Sequence, residues 1–411
     1  MQNKILKHLK LNFLKLAVLC LTIFSIPYIK ADSTPACPTS FFLPRSQGAN
    51  TARELVGWQE FIYKDTCNFY LTTDLVFEYQ QTFKDQRIAR YIFGSDKLTF
   101  RGSQVVDPIN DLDFCLTSTT PATCFNSYCP LIADYFGLPT DYLQTINICP
   151  SIKNFILDFE LFMGLDRLTK GLYFRLHAPL ANSRWTLFDC KELARCCDQE
   201  SNKTVGVFGE CYMADQATNT VASLAEALSG KTFGDMKTPW AYGKFSQCTR
   251  SETQTADVDL TLGYNVWQDY NYHLGLYAQT IVPTGNLPDP TYIFSPIIGN
   301  GKHWEFGLGL TGHLLLWQKG IEQRLLIYAE GNITHLFKNT QKRSFDFCQN
   351  GFMSRYMLLK EFDSSNNYIG LINAINFVTR DADVTIKLKA DFSAKLSYYH
   401  CNFGFDFGYN I

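Results

Sequence analysis

The stretch 382–399 alternates apolar and polar residues almost without a break, and 400–411 repeats the pattern directly behind it. Val384, Ile386, Leu388, Ala390, Phe392, Ala394, Leu396 and Tyr398 fall on one face, against Asp383, Thr385, Lys387, Lys389, Asp391, Ser393, Lys395 and Ser397 on the other. In the second stretch Cys401, Phe403, Phe405, Phe407, Tyr409 and Ile411 stand against Asn402, Gly404, Asp406, Gly408 and Asn410. A period of two belongs to a strand; an amphipathic helix repeats its apolar residues every three or four. Strands of globular proteins are usually about 5 or 6 residues long. These are far longer, and about 9 to 11 tilted residues already cross a bilayer.

The pattern recurs upstream. In 68–83 the residues Leu71, Leu75 and Phe77 alternate with Asp74 and Glu78, and 84–86 reads as a turn into a partner strand over 87–93, continuing to 100. Further strands are expected at 154–164, with Asp158 and Glu160 on the polar face, and at 171–179, with Arg175 and His177. The same holds for 255–266 (Asp257, Asp259), 270–282, 303–317 (Glu305, His313) and 322–337 (Arg324, Glu330). These read as antiparallel hairpins. The long connections 101–153, 180–254, 283–302 and 338–381 are rich in Pro, Cys and Gly, whereas the turns between them are short. Short turns at one end and long loops at the other are the asymmetry of an outer-membrane barrel. The expected fold is therefore all-β, an antiparallel transmembrane β-barrel of about 10 to 14 strands. One long loop carries a helix signal over 221–228, with Thr220 as cap and Gly230 as terminator, placed to fold into the lumen.

This reading has a topological tension. With short turns on the inner side, a strand starting at 68 and turning at 84–86 starts outside, whereas bacterial barrels start and end inside. It calls for a hidden strand before Cys67, within 54–64, or for an unusual connection there; at the other end, any strands missing beyond Ile411 would come in pairs. The expected organisation is a signal peptide over 1–31, an N-terminal segment over 32–67 that is either a plug or that hidden strand, and a barrel over 68–411. Lys4, Lys7, Lys10 and Lys15 ahead of the apolar run 16–29 are the marks of an export signal, with cleavage after Ala31. No later run approaches the roughly 20 apolar residues of a spanning helix.

Export puts the cysteines in oxidising surroundings. Cys115, Cys124, Cys129, Cys149, Cys190, Cys196, Cys197, Cys211, Cys248 and Cys348 fall in the expected loops and are candidates for loop disulfides. The chain has 14 cysteines, and loss of Cys20 with the signal leaves an odd number, so one thiol stays unpaired or pairs outside the chain. Neither CxxC pairs nor Cys/His ligand spacing is present, so no metal and no cofactor is expected. The net charge of −2 argues against a nucleic-acid partner.

Over most of 68–411 the chain resembles Gram-negative outer-membrane β-barrel proteins of the porin-like kind. A sharper local likeness lies in Pro283, Thr284, Gly285 and Asn286 followed by Gly299, Asn300, Gly301, Lys302, His303, Trp304 and Glu305, similar to loops of barrels that transport hydrophobic compounds. The resemblance implies residence in the outer membrane of a Gram-negative-type bacterium. The implied partners are membrane lipid, small solutes in the lumen and the barrel-assembly machinery. The polar faces supply the candidate lumen lining: Asp74, Glu78, Asp158, Glu160, Arg175, His177, Asp257, Asp259, Glu305, His313, Arg324, Glu330, Lys387, Lys389, Asp391 and Lys395. His273 also falls on a polar face, but neither a GxSxG elbow nor an HExxH helix is present, and no enzyme is expected. The leading expectation is a passive channel for small solutes. The alternatives are a surface structural or adhesion barrel, plugged by 221–228 or by 41–63, and a secreted soluble β protein.

Overall fold

The computed structural model describes residues 43–57, 68–103, 131–188 and 221–411, apart from 321, 349 and 352. The signal-peptide segment lies outside them. The described residues hold the strands β1 (Tyr70–Gln81), β2 (Lys97–Arg101), β3 (Leu131–Ile132), β4 (Leu143–Asn147), β5 (Ser151–Gly164), β6 (Leu172–Thr186), β7 (Arg250–Thr255) and β8 (Val258–Asp269). They continue with β9 (Tyr272–Val282), β10 (Glu305–Lys319), β11 (Gln323–Ser344), β12 (Leu358–Phe362), β13 (Tyr368–Asn373), β14 (Thr379–His400) and β15 (Phe403–Asn410). Four short α-helices join them: α1 (Thr51–Gly57), α2 (Asp85–Phe93), α3 (Leu224–Leu228) and α4 (Ala374–Val378). No described helix is long and apolar enough to cross a membrane.

Ten strands form one antiparallel sheet in the order β1-β5-β6-β8-β9-β10-β11-β14-β15, with β7 also on the edge of β6. The sheet curls into a half-barrel. β7 and β8 follow one another along β6 and are interrupted at Ala256 and Asp257, beside Pro179, whose ring nitrogen has no hydrogen to donate. Only short turns join β5 to β6, β8 to β9, β10 to β11 and β14 to β15, and all four lie at the same end of the sheet. Every long connection lies at the opposite end.

The first expected hairpin is not formed. Residues 85–93 are helix α2, and β1 pairs with β5. Ile88, Ala89, Ile92 and Phe93 recur at helical spacing, and Ala89 and Phe93 are buried by it, which decides against an extended chain. The correction removes the tension at the start of the sheet, whereas β15 still runs from the short-turn end toward the long loops. Tyr70 stands opposite Gly164, so β1 starts at the short-turn end and runs toward the long loops.

Those loops fold together. The three-stranded sheet β3-β2-β4, the hairpin of β12 and β13, α2, α3 and α4 share one apolar core, in which Phe100, Phe136, Trp240 and Tyr356 are buried. The rings of Phe100 and Phe136 meet edge-on at 5.1 Å, and Trp240 lies 5.0 Å from Tyr356. Helix α3, capped by Ser223, puts Leu224, Ala227 and Leu228 into this core. It is part of a cap over the long-loop end; the lumen constriction expected of it is not there.

The ten-stranded sheet is apolar outside and polar inside. Phe77, Leu308 and Phe407 are 68%, 63% and 69% exposed on the convex face. On the concave face, Tyr277 of β9 lies over Gly309 of β10, where an added Cβ would overlap its ring. Tyr173 covers Gly263 and Tyr70 covers Gly164 in the same way, ring over glycine on the neighbouring strand. Gly309→Ala should push the Tyr277 ring out of its seat. We expect a loss of about 1 to 3 kcal/mol, the usual cost of overpacking, read as a lower denaturant midpoint of the folded chain against Gly312→Ala, a site with more room.

Candidate functional site

A sheet curled around its own polar face has to hold charge away from water. Asp158, Glu160, Arg175, His177, Asp257, Asp259, Glu305, His313, Glu330, Asp391 and Lys395 are all buried on the concave side, with Asp74, Glu78, Arg324 and Lys389 half-buried. Unpaired buried charge costs several kcal/mol per ion. Part of the compensation is internal to the wall. Lys389 Nζ lies 2.6 Å from Glu305 Oε1, and Arg175 Nη2 lies 2.9 Å from Glu330 Oε1.

The rest comes from the segment 43–57, which the sequence offered as a plug and which threads the concave face from end to end. Leu43 packs against the core of the cap. Leu55, near the short turns, packs against Leu315, Leu326 and Tyr328. The helix α1 that carries Leu55 is docked on the polar row of β14. Asp391 Oδ2 accepts from the Thr51 N–H (3.0 Å), Ser393 Oγ meets Thr51 Oγ1 (2.8 Å), and Lys395 Nζ donates to the Leu55 carbonyl (2.7 Å). An acid at the start of the helix and a base at its end match the direction of its dipole. The order Asp391, Ser393, Lys395 along one strand face is therefore a docking rail for one short helix.

Arg53 and Glu54 then reach neighbouring strands of the wall. Arg53 Nε donates to Asp158 Oδ2 (2.6 Å) and Nη1 to Glu78 Oε2 (2.9 Å), while Nη2 donates to the carbonyls of Gln47 and Gly48. One guanidinium thus ties two strands to the turn that carries it. Glu54 Oε2 lies 3.4 Å from Arg175 Nη2, whose guanidinium also sits 4.8 Å from the Tyr277 ring. Arg45 pairs with Asp391 (2.9 Å) and contacts Asn410 of β15, and Asn50 donates to Glu78 of β1 (3.4 Å). The two end strands of the sheet, β1 and β15, do not pair with each other among the described residues, and this one segment touches both.

The glycine-rich motif holds the upper part of the segment. Asp257 accepts from the backbone N–H of Gly285 (3.2 Å) and of Asn300, and Ser46 Oγ reaches it at 3.5 Å. Gln47 donates to the Ile297 carbonyl (3.2 Å) and accepts from Gly299 N–H (2.8 Å). A Cβ on Gly48 would strike Asp257, so the segment needs glycine there to lie this close. Burial pushes the Asp257 carboxyl up to about 7 from 3.8.

Lys387 stands apart from the other candidates. It is exposed, because β11 and β14 shift register between Thr334 and Leu336, and the bulge turns Lys387 and Leu388 both outward. Arg324 stacks on Tyr399 (4.5 Å) near the short turns. His273 and His313 contact each other through their Nδ1 atoms there. Asp158, Glu160 and His177 have ligand atoms within 4.8 Å of one another, a spacing that could hold a metal ion; Arg53 already occupies Asp158 Oδ2. Cys348 is disulfide-bonded and Cys248 is a free thiol, and no disulfide joins two described cysteines; Cys115, Cys124, Cys129, Cys190, Cys196, Cys197 and Cys211 lie outside the described residues. The residues missing from the sequence-derived set are Arg45, Gln47, Asn50, Thr51, Arg53 and Glu54. Their signal was an Arg-Glu pair in a segment with no alternation.

The chain matches no known protein family, and no curated protein is similar to it.

Removing one partner of a buried ion pair costs about 3 to 5 kcal/mol. Arg53→Met should therefore release 43–57 from the wall, and limited proteolysis should cut that segment much faster while the sheet stays intact. The raised Asp257 carboxyl gives a second expectation. Between about pH 4 and 7 the folded chain holds a proton there that the unfolded chain has lost, so stability rises as pH falls through this range and is lowest above 7. Asp257→Asn should flatten that part of the pH–stability profile.

Proposed function

We propose that the chain is an outer-membrane-type β-barrel protein, a channel for small solutes that is held closed by its own segment 43–57. The observation that carries this reading is the pairing of faces. Strands long enough to cross hydrocarbon expose Phe, Leu and Tyr on the convex side, with buried ionic residues on the concave side. In water such an apolar band would be an association surface, whereas in a bilayer it is the required one. The even sorting of short turns and long loops supports the same reading, with the cap facing outward and the turns inward.

The docked segment bears on whether the pore is open. It lies along the concave face from cap to turns, so conduction requires it to move. In a planar bilayer the full chain should be mostly silent, and a chain lacking 43–57 should give discrete conductance steps. Heat-modifiable, detergent-soluble protein without steps from the deletion variant would sink the channel reading. Recovery in the aqueous phase without detergent would sink the membrane reading as well. A surface barrel whose work is done by the cap is the second reading, favoured by the buried aromatic core of the loops. It expects silence from both proteins.

A further inference from the structure

We infer that the carboxylates around Arg53 are a receptor for a solute cation, so that the channel proposed above admits small solutes carrying a guanidinium or ammonium group. The inference rests on that channel reading for its physiological meaning, but the receptor can be tested apart from it.

Arg53 occupies this place as a ligand would. Its side chain is 2% exposed and gives one N–H to each of two carboxylates, Nε to Asp158 at 2.6 Å and Nη1 to Glu78 at 2.9 Å. Charge-assisted hydrogen bonds from one guanidinium to two separate carboxylates are what would recognise a solute cation here. Beside it stands Glu160, fully buried, with neither carboxylate oxygen hydrogen-bonded among the described residues; its nearest cation is His177 Nδ1 at 3.4 Å. Asp158 Oδ1 is likewise without a hydrogen bond. The acceptor capacity therefore exceeds what Arg53 uses.

Once 43–57 leaves the wall, Arg53 leaves with it. Arg175 cannot take its place, since Glu330 holds it at 2.9 Å. Glu78, Asp158 and Glu160 then face one another with His177 as their cation, an arrangement that repels anions and draws in a replacement positive charge. Arg45 leaves a second such vacancy at Asp391, nearer the surface. Both vacancies are acidic, so departure of Arg45 and Arg53 leaves carboxylates without their guanidinium partners on two parts of the wall.

The test is chemical rescue in the full-length chain. Arg53→Ala should make 43–57 protease-sensitive, and millimolar methylguanidinium should restore its resistance several-fold, ethylammonium less so. The rescue should vanish in Arg53→Ala with Asp158→Asn. If Arg53→Ala does not fold, Arg53→Gln, which keeps the side-chain volume, is read in the same way. The chain lacking 43–57, under a KCl gradient, should show a reversal potential of cation-preferring sign that moves toward zero in Glu160→Gln. Failure of rescue, or an anion-preferring current, overturns the inference. Silence in the bilayer with rescue intact overturns the channel reading alone.

Discussion

Charge enclosed by a curled sheet has to be compensated, and the architecture follows from how that is done. The polar faces of nine consecutive hydrogen-bonded strands turn inward. Where acid and base happen to lie across from each other the wall neutralises itself, as at Lys389 and Glu305. Where they do not, at Asp158, Glu78 and Asp391, the neutralising group arrives from a segment remote in sequence. That segment is helical for only seven residues, too short to be stable alone. It is held by wall residues at both ends of α1, and it in turn spans the gap between β1 and β15. The conformation of the segment is thus set by the wall it docks on.

The strands were legible because alternation is a local property. From 154 to 411 every expected strand is present and its faces agree along most of its length, but β6 and β11 run on past their expected ends at 179 and 337, and β7, β12 and β13 lie where loops were expected. The exceptions are physical. At Lys387 a bulge adds one residue to one strand, and alternation cannot reveal it because the shift depends on the partner's register. At 85–93 an isoleucine and aromatic run has both periods within reach, and the apolar core of the cap selects the helix. The wall half of the candidate site was legible for the same reason as the strands, whereas Arg53 and Glu54 were not. Their partners lie more than a hundred residues away on β5 and β6, and a segment with no period gives no hint of which side chains will be buried.

The cap and the segment are held by opposite kinds of force. The cap is cemented by apolar and aromatic burial, where Phe136, Trp240 and Tyr356 sit together and each large ring is worth about 3 to 5 kcal/mol against truncation to alanine. Such contacts have no substitute in water. The segment has small apolar anchors at Leu43 and Leu55, and between them ion pairs and hydrogen bonds. Each of these exchanges for water or for another ion with a net change of about 1 kcal/mol when solvent can enter. Dry, the same bonds are hard to break singly because each leaves a bare charge.

This difference decides which part would move in the proposed channel. Opening by lifting the cap would expose a contiguous aromatic core. Opening by withdrawing 43–57 exposes chiefly polar groups to a lumen that water then fills, and the charges left on the wall gain hydration as they lose their protein partners. The cost is concentrated at the start, while Arg53 is leaving Asp158 and Glu78 and before water or a cation has reached them. A positive solute that enters as Arg53 departs shortens that interval, so the charge that closes the wall and the charge that would pass along it are of the same kind.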